Sequence, residues 1–167
     1  NNQSFSQLQQ ANYVFNSGVK GIETADLCIL VGANPRHASP VLNARIGQMV
    51  RAGRLKVARL GASVDQTYNI KELGTKPEIL LSILKDEHDF CVDLQNAIRP
   101  MFILGDELLT RADAAHITKL IVQIMARYPN FDLADWNGFN ILHNSASSVG
   151  ALDLGFKPQN GSMSCSD

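Results

Sequence analysis

Clustered thiols are missing from this chain. Its 167 residues hold three cysteines, Cys28, Cys91 and Cys165, far apart and with no CxxC among them. Zinc and iron–sulfur sites need grouped thiolates or histidines, so the sequence predicts no metal here. The odd count fits a reducing compartment, and Cys28, inside an apolar run, reads as a small buried hydrophobe. No stretch approaches the ~18 apolar residues of a membrane-spanning helix. Net charge is only −1, which is no signature of a nucleic-acid binder. There is no GxGxxG after a strand and no GK[ST], so neither the NAD fingerprint nor a P-loop is present. None of His37, His88, His116 and His143 stands in a nucleophile motif with Ser or Cys. Residue 1 is Asn, with no charged and then apolar leader behind it. The chain therefore reads as a piece of a longer polypeptide.

What is present is a globular balance, 45% apolar and 19% charged, with length for one domain. The polar ends, 1–10 and 157–167, read as flexible flanks of a single α/β domain over 11–156. Charge is unevenly spread. Between Asp26 and Asp65 no acidic residue occurs, while Arg36, Arg45, Arg51, Arg54, Lys56 and Arg59 give a local +6. Asp86, Glu87, Asp89 and Asp93 form an acidic counterpart. Such asymmetry suits an anionic ligand or an acidic partner surface, or simply solvated faces. Asp86, Glu87 and Asp89 read as one such face.

Leu27 to Val31 is a continuous apolar run, as in a strand buried on both faces. A short strand or turn over 11–19 and a helical turn over 22–25 precede it. A helix over 40–52 follows, with Ser39 as N-cap, Pro40 at its first position and Gly53 at its exit. Leu42, Ile46, Met49 and Val50 make its apolar stripe. Lys56 to Leu60 completes a βαβ unit with a right-handed crossover. Residues 62–76 read as a loop, 77–84 and 90–97 as short helices, and 101–105 as another strand ending in glycine. A long helix over 111–127 buries Ala114, Ile117, Leu120, Ile121, Ile124 and Met125. Asp135 to Gly138 reads as a turn and Ile141 to Gly150 as a helix. Alternating strands and helices predict a doubly wound, mostly parallel, Rossmann-like sheet. Gly32 and Gly105 should both lie at its carboxyl edge.

The stretch VGANPRHASPVLNARI, residues 31 to 46, carries the candidate site. A glycine at a strand end lets backbone approach a ligand closely, and the amides and the helix start behind it attract anions. Gly32, Asn34 and Arg36 are thus the candidate cofactor-binding residues, with Arg36 able to fork onto a phosphate. The alternative is a strand-to-helix turn that needs glycine only for its shape. No catalytic set and no metal ligand emerges.

These stretches also resemble a known family. Ile22 to Leu27, then ILVGANPRHASPVLNARI, then Leu55 to Ala58 are similar to the large iron–sulfur subunit of respiratory complex I. That subunit is the 75 kDa one in mitochondria and the G subunit in bacteria. The match continues at Val64 to Tyr68, Leu73-Gly74, Pro100 to Gly105, Ala112 to Ala115, Asn140 to His143 and Ala151 to Pro158. It looks most like the mitochondrial and alphaproteobacterial branch.

The resemblance implies a molybdopterin oxidoreductase-like fold from the carboxyl-terminal portion of that subunit. It implies that the 2Fe-2S and 4Fe-4S clusters belong to a missing N-terminal region and that this fragment holds no cofactor. It further implies a scaffold role, non-catalytic in itself, in a proton-translocating NADH:quinone oxidoreductase. The expected partners are other peripheral-arm subunits and the cluster-bearing region, with no nucleic acid and no direct membrane insertion. The expected location is the matrix side of the mitochondrial inner membrane or the cytoplasmic side of a bacterial one. Molybdopterin enzymes hold their dinucleotide cofactor near the stretch like Gly32 to Pro35, and an acidic residue at the end of the second strand reads the nucleotide. Here that strand ends Arg59-Leu60-Gly61, and Asp65 comes five residues past Leu60. The alternative reading is the cofactor-binding half of an active molybdopterin-dependent oxidoreductase.

Overall fold

The computed structural model describes residues 11–145 and 147–153. The polar ends expected at 1–10 and 157–167 lie outside them. After a single helical turn, α1 (Gly18–Gly21), come β1 (Leu27–Val31), α2 (Pro35–Ala38), α3 (Pro40–Arg51) and β2 (Lys56–Leu60). Next are β3 (Lys71–Gly74), α4 (Glu78–Leu84), α5 (Phe90–Asn96), β4 (Pro100–Gly105), α6 (Asp106–Leu109) and α7 (Ala114–Arg127). The short strands β5 (Asp132–Leu133) and β6 (Trp136–Asn137) precede β7 (Phe139–Leu142) and α8 (Ser147–Asp153).

Five strands form one parallel sheet in the order β3-β2-β1-β4-β7. The chain steps outward from β1 to one edge, then returns to β4 on the other side. This is the doubly wound order, and it reverses between β1 and β4.

All five residues of β1 are buried, and alternate ones feed two cores. Leu27, Ile29 and Val31 join Ala58, Phe102 and Leu104 beneath α4, α5 and α7. Cys28 and Leu30 join Val57, Met101 and Ile103 beneath Leu42 and Ile46 of α3. A strand buried on both faces has no polar side, which is why its sequence is an unbroken apolar run. The long helix supplies Ile117, Leu120, Ile121 and Ile124 as its buried stripe, with Ala114 and Met125 half-buried.

Several elements differ from the sequence expectation. The span 62–76 is not all loop, because β3 lies within it as an edge strand in which only Leu73 is buried. Residues 141–150 are not one helix: Phe139 to Leu142 form the fifth strand, and α8 starts at Ser147. Asp135 to Gly138 is part of a small antiparallel hairpin, with Leu133 opposite Trp136. The helical turn before β1 falls at Gly18 rather than at 22–25, and Phe15 makes an antiparallel bridge to Asn140. The helix from Ala114 is shorter than 111–127, since α6 forms separately before it. Ser39 does sit at the N-cap of α3, but its side chain makes no capping bond.

The acidic run is not simply a solvated face. Asp86 ends α4 with a left-handed backbone, φ 60°, its amide on Ile83 O at 3.1 Å and Glu87 N on Ser82 O at 2.9 Å. That pair of hydrogen bonds closes the helix end in the way a glycine normally does. Aspartate serves because its carboxylate is used: Tyr128 Oη donates to it at 2.9 Å and Arg127 pairs with it from the end of α7.

Candidate functional site

The switch point lies where Gly32 leaves β1 and Gly105 ends β4, and both glycines stand at the carboxyl edge as the sequence predicts. Gly32 has φ +55°. A methyl group added to Gly105 would sit 2.1 Å from Gly32 O and 2.6 Å from Ala33 Cα. One on Gly32 would sit 3.1 Å from Leu108 Cβ. These glycines therefore allow protein to touch protein. The backbone of one strand end lies on the other, and α6 seats buried Leu108 over Gly32.

The amides of the turn are largely spoken for. Gly32 N donates to Leu60 O at 3.0 Å, His37 N and Ala38 N to Asn34 O at 3.1 and 2.9 Å, and Ser39 N to Pro35 O at 2.9 Å. Pro35 has no amide to offer. Asn34 Oδ1 accepts from Gln66 Nε2 at 3.2 Å. Two clefts stay open beside the turn, one of about 210 Å3 lined by Gly32, Asn34, His37, Gly105, Leu142 and Asn144, and one of about 350 Å3 lined by Gly32, Leu60, Gly61, Leu108 and Arg111.

Thus Gly32 and Asn34 meet at one cleft, with His37 and Asn144 beside them. Arg36 is not brought to it. Its Nη1 donates to Asp65 Oδ2 at 2.8 Å and to Asp65 O at 3.0 Å. The acidic residue sought at the end of β2 is this Asp65, 89% exposed and turned to the arginine.

The end of β2 is instead governed by Arg59, whose side chain is only 4% exposed. It is gripped by the Glu72 carboxylate, by Val64 O at 2.7 Å and by Ser63 Oγ at 3.3 Å. A buried guanidinium needs a partner and filled donors, and the 61–70 loop folds back to supply them. Below it, Tyr68 Oη donates to Asn43 Oδ1 at 2.9 Å, and burial raises the phenol above its ordinary pKa. Burial alone pushes the nearby Cys28 thiol up to about 12. The sequence carried no signal for this arrangement, since the Arg59–Glu72 pairing exists only through the β2–β3 register.

The +6 segment is also less of a surface than expected. Arg36, Arg45, Lys56 and Arg59 are each paired, with Asp65, Glu23, Asp93 and Glu72. Exposed Arg51 and Arg54 have no ion-pair partner among the described residues.

The same geometry bears on resident groups. Buried Cys28 and Cys91 lie in separate cores on opposite faces of the sheet, so they cannot share a cluster. Among the described residues, no three His, Cys, Asp or Glu side chains are grouped to hold a metal ion. A pterin dinucleotide would need amides at Gly32 and a nucleotide reader after β2. The Gly32 amide is bonded to Leu60 O, and the acidic residue after β2, Asp65, is paired with Arg36, so the residues of this chain do not fit that group.

A family model described as molybdopterin oxidoreductase matches residues 1–167. The NADH-quinone oxidoreductase G subunit of Rickettsia bellii is 50% identical over 155 residues, covering 93% of this chain and 23% of that protein. Its counterpart in Rickettsia prowazekii is 43% identical over the same shares. The 75 kDa subunit of the NADH-ubiquinone oxidoreductase of Reclinomonas americana is 42% identical over 144 residues, 86% of this chain and 21% of that one. The chain thus spans less than a quarter of the length of these relatives. A solved structure of the formyltransferase/hydrolase complex of Methylorubrum extorquens, with methylofuran, superposes on 93% of this chain and 49% of its own, with TM-score 0.55 at 14% identity. At that identity the likeness is one of fold.

Proposed function

The chain belongs to the molybdopterin oxidoreductase family, and from that premise we propose that it is a scaffold domain of the large iron–sulfur subunit of an NADH–quinone oxidoreductase. On this reading the parent complex passes electrons from NADH through flavin and iron–sulfur clusters to quinone, coupled to proton translocation. The 2Fe-2S and 4Fe-4S clusters sit in other parts of the subunit, and this portion holds no redox centre. Residues 11–156 act as one structural unit with polar flanks. The partners are the peripheral-arm subunits and the cluster-bearing region, and the site of action is the matrix or cytoplasmic face of the energy-converting membrane. No helix among the described residues is long and apolar enough to cross that membrane.

The observation that carries the scaffold reading is the switch point itself. Gly32, Asn34 and Arg36 retain the outline of an anion cradle, but the Gly105 contact, Leu108 and Asp65 use it up internally. A nucleotide-binding turn that has become a packing joint still holds the sheet together. The test is molybdenum, iron and pterin analysis of the intact subunit and of this chain. The expected result is iron in the intact subunit, and neither iron nor pterin with this chain. About one molybdenum and pterin per chain would sink the scaffold reading.

A second reading, half of an active molybdopterin enzyme, is favoured by the family match and by the cleft beside Asn34. It requires a guanine nucleotide to bind there, so calorimetry showing no heat at millimolar guanosine diphosphate removes it.

A further inference from the structure

At the amino end of the sheet, opposite the switch point, one edge is open. The register of β3 on β2 begins at Ala58 opposite Lys71, so Lys56 and Val57, paired with Leu27 and Cys28 of β1 on one side, have no strand on the other. A cleft of about 580 Å3 lies there, walled by Val50, Leu55, Val57, Ile70 and Phe90. Its rim is cationic. Lys56 and Lys71 converge on Asp93, at 3.4 and 2.7 Å, and one carboxylate balances only one of them. Arg54, between the lining residues Gly53 and Leu55, is exposed and adds a further charge.

The other edge of the sheet is treated differently. There the chain lays its own backbone on β7, with Phe15 bridging Asn140 and Ile141 N donating to Val14 O at 3.2 Å. No strand among the described residues continues the β3 ladder beside Val57, where Asn69 and Ile70 line the cleft. More than three quarters of the Rickettsia bellii relative lies beyond the matched region, so ample polypeptide exists to supply one.

We propose that this cleft docks an extended segment of the subunit from outside this chain, one that mixes acidic with apolar residues. The inference rests on the complex I reading above. The Lys56 amide is bonded to Asp26 O, so an extended segment is held there chiefly by side chains that enter the apolar pocket. Edge lysines oppose indiscriminate strand pairing, and the same charges select an acidic segment. Lys71 is held in place for this role, its Nζ lying 5.4 Å from the Phe90 ring centroid as well as on Asp93.

The experiment uses the full-length subunit in its assembled complex. Asn69, exposed on the cleft wall, is replaced by p-benzoylphenylalanine, the membranes are irradiated, and the cross-linked peptides are sequenced. The expected product is a link within the same polypeptide, to a segment with acidic residues beside apolar ones. Lys56→Gln combined with Lys71→Gln is expected to lower the yield about tenfold, the effect of losing two modest charge contacts. A link to another polypeptide, a link to a segment without acidic residues, or no link overturns the proposal. The photoreactive protein with both lysines intact decides this even if the double variant fails to assemble. Co-purification of the subunit with NADH oxidation, scored on the same membranes, reports separately on the complex I reading.

Discussion

Replacing Gly105 by alanine probes the joint on which the scaffold reading stands. The new methyl would lie 2.1 Å from Gly32 O, 0.9 Å inside the 3.0 Å below which such contacts essentially never occur, and 2.6 Å from Ala33 Cα. Both obstacles are backbone, so no side chain can rotate away. Either β4 or the Gly32 turn must shift by nearly an ångström, and both are clamped in the parallel ladder and by the Gly32 N to Leu60 O bond. Overpacking a core usually costs ~1–3 kcal/mol when side chains can adjust. Here the upper end, about 3 kcal/mol, is the expected loss. With a urea slope of ~2 kcal/mol/M, the unfolding midpoint falls by roughly 1.5 M. Gly53→Ala is the control, because Gly53 has φ +69° but nothing within 4 Å. It should lose only the ~1–2 kcal/mol of left-handed strain. If Gly105→Ala is no worse than Gly53→Ala in urea denaturation followed by circular dichroism, the strand ends are not in contact. The packing joint and the scaffold role built on it then fall together.

Three further outcomes follow from the ion pairs. Glu72→Gln strands the Arg59 guanidinium, so a loss of about 2 kcal/mol is expected, below the usual cost for a fully buried pair because Glu72 is 45% exposed. Chemical denaturation that finds the variant unchanged would mean the arginine reaches water. Lys71 above all, and then Lys56, hold the Asp93 carboxyl below the ordinary aspartate range. A depressed folded pKa contributes stability that is present above the unfolded value and lost as pH falls through the folded one. Asp93→Asn should therefore be less stable than wild type near pH 7 and lose less below about pH 4, and parallel acid-unfolding curves would contradict the assignment. Asp65→Asn should hardly change stability, as exposed pairs are worth ~0–1 kcal/mol. A loss above about 1 kcal/mol in chemical denaturation would mean that the Arg36–Asp65 pair is more than a surface contact.

How legible each element was depended on where its stabilising partners lie. The run LCILV reads as a strand because both faces need apolar residues, and α3 and α7 read as helices because their stripes recur every three or four positions. Such patterns are local. β3 was not legible, for KELG buries only Leu73 and is a strand only because β2 offers it an edge. Ile141 and Leu142 of β7 read as the start of a helix because Asn140 interrupts the apolar pattern before them. That asparagine is fully buried, donating to Phe102 O at 3.2 Å and accepting from Ser17 N and Oγ at 2.9 Å. Partners more than a hundred residues apart leave no periodic trace.

The candidate site divides along the same line. Residue identity alone determined that Gly32 and Gly105 would end strands at one sheet edge, since an apolar run must turn and only glycine bears the contacts met there. It also carried the family likeness through VGANPRHASPVLNARI. Tertiary structure decided what those glycines serve. An amide is a ligand donor only while it is unpaired, and pairing depends on which backbone lies opposite. Leu60, Leu108 and Asp65 come from other turns of the chain, and they convert an outline that reads as a phosphate site into a joint between strands.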